Sequence, residues 1–187
     1  YPGEVYYVSS DVDDKIKNPG VENIFIGKGR LMVMFFQIIR AEKMFLTLTD
    51  LNNNIVKKTK NVDKYIYYFH APVSTTKIYT ATAFDNYDII LCNGDYHLDE
   101  IRKRESIKKI PKKKLIKTGY FYFDYLKNKI NTKIDANEIL IAPSWNYNQK
   151  DFINENLEEI IQFLLNKGHI VKFRPHPESF KRSKLTI

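Results

Sequence analysis

Near the end of the chain an apolar run, 170–173, leads into the pentapeptide RPHPE at 174–178. Pro175 and Pro177 fix φ on either side of His176 and remove two backbone donors, so the segment is stiff and cannot continue as regular helix. Arg174 and His176 are two residues apart and share a face if the strand persists. A guanidinium and an imidazole held stiffly at a strand end suit an anionic phosphate; the competing reading is a strand terminator carrying a surface arginine. A second histidine, His70, closes the run YIYYFHA at 65–71. Imidazole titrates near neutrality, the range a general base needs, although a histidine in that place can equally cap the next helix or sit satisfied in the core.

The elements that must position these groups alternate short apolar runs with amphipathic stretches, the rhythm of an α/β fold. Strands are expected at 4–10, 23–27, 44–50, 65–71, 87–93 and 114–120, with helices at 28–42, 74–84, across 94–106 and at 123–129. A polar stretch, 128–137, reads as a linker. A second α/β unit follows: strand 138–145, helix 154–168, strand 169–176. Leu157, Ile160, Ile161, Leu164 and Leu165 form the stripe of that helix and Gly168 ends it. The expected domains are therefore 1–127 and 138–187. One βαβ piece does not bury both faces of a parallel sheet, so the second domain is expected to continue beyond residue 187.

In open parallel sheets, ligands bind outside the carboxyl ends of the strands. His70, Asn93 and Gly119 end strands in the first unit; Pro143, Ser144 and Trp145, then Arg174 and His176, end strands in the second. Two such edges facing one another would make a cleft. GKGR at 27–30 lacks the full phosphate-binding glycine pattern and reads as a tight turn. His97 and His169 read as structural or exposed. No spacing of His, Cys, Asp or Glu suggests a zinc site, and no Gly-x-Ser-x-Gly elbow is present.

Composition narrows the setting. The net charge is +8, and KKIPKKKLIK at 108–117 carries six lysines. Lys108, Lys109, Lys112, Lys113 and Lys114 are the candidate anion- or membrane-binding patch, unless they form only a solvated loop. The single cysteine, Cys92, excludes an intrachain disulfide, fits a reducing compartment and reads as a packed core residue. No apolar run approaches the length of a membrane span. No signal peptide is visible, and with no initiator Met something is expected to precede Tyr1. Tyr and Phe permit stacking on nucleic acid, but they lie in strand interiors, so a nucleic-acid partner is not expected.

The segments YYFHAPVSTTK, YDIILCNGDYHLDEI, LIKTGYFYFDYL, ILIAPSWNYN and IVKFRPHPE occur in that order. Over residues 65–178 this resembles the CDP-glycerol glycerophosphotransferase family, polymerases and primases of teichoic-acid and capsule backbones, and the wider GT-B glycosyltransferases. The resemblance implies two Rossmann-like domains. Its N-terminal domain would be the acceptor side, and the nucleotide-donor domain would begin at 138 and be incomplete here. His70 stands where the family has its N-domain histidine, thought to act as base. His176 stands at the C-domain histidine, thought to bind the donor phosphates. Gly119 and Asp124 match the Gly and Asp of the family's third motif, and Pro143, Ser144 and Trp145 its Pro-Thr-Trp. Phe69, Ala71, Phe123 and Asn146 depart from the pattern, standing where the family has Trp, Gly, Arg and Arg. The family's later Ser/Thr-Asp-x-Ser-Ser segment has no counterpart before Ile187.

The implied activity is transfer of glycerol phosphate from CDP-glycerol to an acceptor hydroxyl. The donor is a substrate, and neither cofactor nor metal is expected. The acceptor would be lipid-linked and the protein cytoplasmic, peripheral on the inner face of the membrane. A fragment of this extent is expected to turn over little alone. The alternatives are a sugar-transferring GT-B enzyme, a UDP-sugar 2-epimerase-like protein, and a non-catalytic or nucleic-acid-binding basic domain.

Overall fold

The computed structural model describes residues 3–52, 56–129, 136–143 and 155–177. The chain is α/β with parallel sheets and divides into two compact units, Tyr1–Asn128 and Lys129–Ile187.

In the first unit, β1 (Val5–Ser9) pairs in parallel with β2 (Val21–Phe25). Their connection is fastened by side chains in place of a helix. Asn23 accepts from the Ile16 N–H at 2.8 Å and donates to the Ile16 carbonyl at 3.0 Å, while Asp14 accepts from Tyr7 and Ser9. After Gly27 and Gly29, both at φ +67°, comes α1 (Arg30–Ile38). GKGR is thus a tight turn, left-handed at both glycines.

The main sheet is built from β3 (Ala41–Leu46), β4 (Val62–Tyr68), β5 (Ile89–Cys92) and β6 (Lys114–Lys117), all parallel and in chain order. Between them lie α2 (Thr75–Ile78) and α3 (Asp95–Lys108), and α4 (Phe121–Lys127) follows β6. Right-handed crossovers that always step the same way put their connections on the same side of a sheet. The burial follows. On one face Tyr65, Tyr67, Ile90 and Cys92 are fully enclosed with Phe69, Phe84, Tyr87 and Ile101. On the other, Ile66 is buried, but Phe45 beside it is 56% exposed, and Tyr68 and Ile116 are also open. The enclosed face is aromatic. The Tyr67 ring meets Phe69 and Phe84 edge-on at 4.9 Å and Tyr87 at 5.2 Å, a geometry worth about 0.5–1.5 kcal/mol per pair beyond area burial.

The expected helix over 74–84 is a single turn. Residues 81–86 instead form successive turns, and the 79–87 segment carries Tyr79, Phe84 and Tyr87 onto the sheet.

In the second unit β7 (Glu138–Ile141) pairs in parallel with β8 (Ile170–Phe173), and α5 (Leu157–Asn166) packs on β8. Lys172 bridges to Glu138 at 2.6 Å across the pair. Gly168, at φ +81°, ends the helical segment.

Candidate functional site at the strand carboxyl ends

The first unit gathers its special residues at the carboxyl edge of the main sheet. His70 stands two residues past the end of β4 and is exposed. The backbone that carries it is fastened at almost every position. The Tyr120 phenol donates to the His70 carbonyl at 2.8 Å. The Asn93 amide donates to the Ala71 carbonyl at 3.3 Å. His97 Nε2 lies 2.8 Å from the Val73 carbonyl. Glu100 accepts from the Ser74 hydroxyl at 2.7 Å, from the Thr75 N–H at 2.5 Å and from the Thr75 hydroxyl at 2.6 Å. Arg104 donates to the Thr75 carbonyl at 2.8 Å. Thus α3 presents His97, Glu100 and Arg104, one turn apart, as a rack for the segment that follows His70.

The His97 tautomer follows from its partners. Nδ1 accepts the Asn93 N–H at 3.2 Å, so Nε2 carries the proton given to Val73. The ring is fully buried against Phe69, with centroids 3.9 Å apart. Burial disfavours the imidazolium and holds its pKa below the ordinary histidine value, against the Val73 hydrogen bond and the Glu100 charge. Burial pushes the Glu100 carboxyl the other way, but the hydrogen bonds from Thr75 and Ser74 outweigh it and keep the group below the usual glutamate range.

Beside this segment lies a hollow of about 180 Å³ lined by Tyr68, Phe69, Leu91, Asn93, Thr118, Gly119, Tyr120 and Phe121. Its walls are mostly apolar, and the amide of Asn93 and the hydroxyl of Thr118 supply polar groups. Gly119 is at φ +74° with open space where a side chain would stand, so conformation, not room, requires the glycine. Asp124 is exposed in the first turn of α4.

In the second unit the Arg174 N–H donates to the Ile141 carbonyl at 2.9 Å, one ladder bond past the end of β8. Pro175 then ends the pairing, having no N–H. Arg174 and His176 are both exposed at the carboxyl end of this pair. Ser144 and Trp145 lie outside the described residues.

The lysine run does not form one solvated face. Lys108 pairs with Asp85 and donates to the Ala81 carbonyl. Lys113 is buried. Lys109 takes the left-handed φ of 53° that caps α3, and it, Lys112 and Lys114 are exposed. The competing expectation of a plain solvated loop fails at the same two residues. Periodicity gave no sign of this, because their partners lie in the 80–88 segment and on α3.

His97, Glu100 and Tyr120 were not among the expected site residues. The His97–Glu100 spacing of three was the available sign, but which face of α3 meets the 71–75 segment is decided only by packing. Among the described residues no group of His, Cys, Asp and Glu gathers to hold a metal ion, and no helix is long and apolar enough to cross a membrane. No family model, no curated protein and no solved structure matches the chain.

Proposed function

We propose that this chain is part of a transferase of bacterial surface-polymer synthesis, moving glycerol phosphate from CDP-glycerol to an acceptor hydroxyl. The observation that carries the reading is the fastened His70 segment beside an apolar hollow at the carboxyl edge of a parallel sheet, where such folds bind ligands. The order of the five resembling segments supports it. In this reading the GT-B architecture holds, and each unit carries part of the reaction. His70 takes the proton of the attacking hydroxyl, and the hollow with Asn93, Thr118 and Gly119 receives the acceptor end. Arg174 and His176, with Ser144 and Trp145, hold the donor phosphates and neutralise charge on the leaving group. The exposed Lys109, Lys112 and Lys114 would rest on an anionic membrane surface, at about 1 kcal/mol each.

The test is nucleotide release with a lipid-linked acceptor, using the chain within its complete gene product. CMP should appear from CDP-glycerol. His70→Ala should lower turnover by about 100-fold or more, the scale of a lost general base, with donor affinity retained. UDP release from a UDP-sugar would move the chain to the sugar-transferring alternative. Full activity of His70→Ala would remove the assigned base.

A further inference from the structure

The opposite, amino-terminal edge of the main sheet holds a cluster that the proposed reaction does not use. Lys58 pairs with Asp88 at 3.1 Å, Arg102 with Glu105 at 2.6 Å, and Lys108 with Asp85. These three pairs come from the segments before β4 and β5 and from α3. Lys113, the residue before β6, is the fourth cation among three carboxylates. It is only 8% exposed. Its backbone N–H donates to Glu105 at 2.8 Å and its carbonyl accepts from Arg102 at 3.1 Å, so the residue is fixed in place. Among the described residues no carboxylate forms an ion pair with its side-chain nitrogen. The surplus proton of the cluster is therefore the one on Lys113, and releasing it balances the charges.

We propose that Lys113 is an acyl-accepting lysine, a site at which small acyl phosphates transfer their acyl group to the side-chain nitrogen. The neutral amine attacks the carbonyl carbon and the C–N bond forms. The C–O bond to phosphate breaks, phosphate leaves with the electron pair, and the extra proton on nitrogen passes to water. The product is a neutral amide, which leaves the three pairs balanced. At 8% exposure the residue favours a compact donor over a protein acyltransferase. Burial acts first to weaken the hold of this amine on its proton. Glu105 and Asp85 oppose that and Lys108 and Lys58 add to it, and the balance lies below the ordinary lysine value.

The folded chain is incubated with acetyl phosphate at about pH 7.5, and acetylation is followed at each lysine by peptide mass spectrometry. Lys113 should acetylate at least about fivefold faster than the exposed Lys112 and Lys114, because rate follows the fraction of free amine. In urea the three should become equal. Lys108→Gln frees the Asp85 carboxylate to pair with Lys113, and should bring its rate down to that of Lys112. Folded-state labelling of Lys113 no faster than its neighbours, or a rate indifferent to Lys108→Gln, overturns the proposal.

Discussion

The phenol of Tyr120 donates to the carbonyl of His70, joining residues 50 positions apart at the same sheet edge. The bond runs from just past β6 to just past β4. It therefore ties the two sides of the hollow together, and Gly119 provides the turn that lets Tyr120 come back.

Removing that hydroxyl should loosen the segment more than the fold. Tyr120→Phe is expected to cost about 1 kcal/mol or less in global stability, since the bond is exposed. Deuterium uptake over 69–73 should rise while the urea midpoint barely moves. Unchanged uptake would show that Asn93, His97 and Glu100 hold the segment without it.

His97 gives the stability a pH dependence of known sign. Its folded pKa lies below its unfolded value near 6.5. The unfolded chain therefore takes up the proton first, and stability is full above that pH. It falls as the pH drops through the unfolded value toward the lower folded one. Urea midpoints measured downward from pH 7 should decline, and His97→Gln should flatten the decline. An equal slope in the variant would assign the effect to other groups.

Glu100 acts at lower pH. Its folded pKa is held down, so its stabilisation is present above the unfolded glutamate value and is lost as the pH falls through the folded one. At neutral pH Glu100→Gln should cost about 2 kcal/mol, the scale of hydrogen bonds to a charged acceptor. Thermal melts of the variant would read this, and deuterium uptake over 73–76 should rise with it.

Two isoleucines on α3 separate packing from helix propensity. Ile101 is 1% exposed in the core and Ile107 is 72% exposed. Ile101→Ala should cost about 2–5 kcal/mol by leaving a cavity, and Ile107→Ala should stay within about 0.5 kcal/mol of wild type. Similar urea midpoints for the two variants would mean that the face of α3 is wrongly assigned.

The strands of the main sheet were legible where they are β-branched and aromatic runs, as in β4 and β5, whereas β3 starts at Ala41, inside the span expected as helix 28–42, and ends before the expected 50. The expected spans overlap β4, β5 and β6, although they run past the observed ends by up to three residues. At Phe69 and His70, for example, the aromatic run continues past the last register pair, Tyr68 with Leu91. The stripe of α5 was legible at Leu157, Ile160, Ile161 and Leu164, which are half-buried, while its fifth member, Leu165, is exposed; the stop at Pro175 was legible as the local effect of a missing donor. What sequence did not reveal depends on distant partners. Thr75 and Glu100 meet across 25 positions, and the buried Lys113 feels charges from three other segments. The candidate site was therefore readable as strand ends but not as a fastened loop. The lysine run was read as a surface because charge in a sequence carries no record of what lies over it.

The order of the main sheet, β3 to β6 in the sequence of the chain, bears on how the molecule is made. Along the chain each strand pairs with the edge of the one before it, so none has to be inserted between two that are already paired. The aromatic layer can thus be assembled during translation, one strand at a time, with a single growing edge that stays open until the next segment arrives.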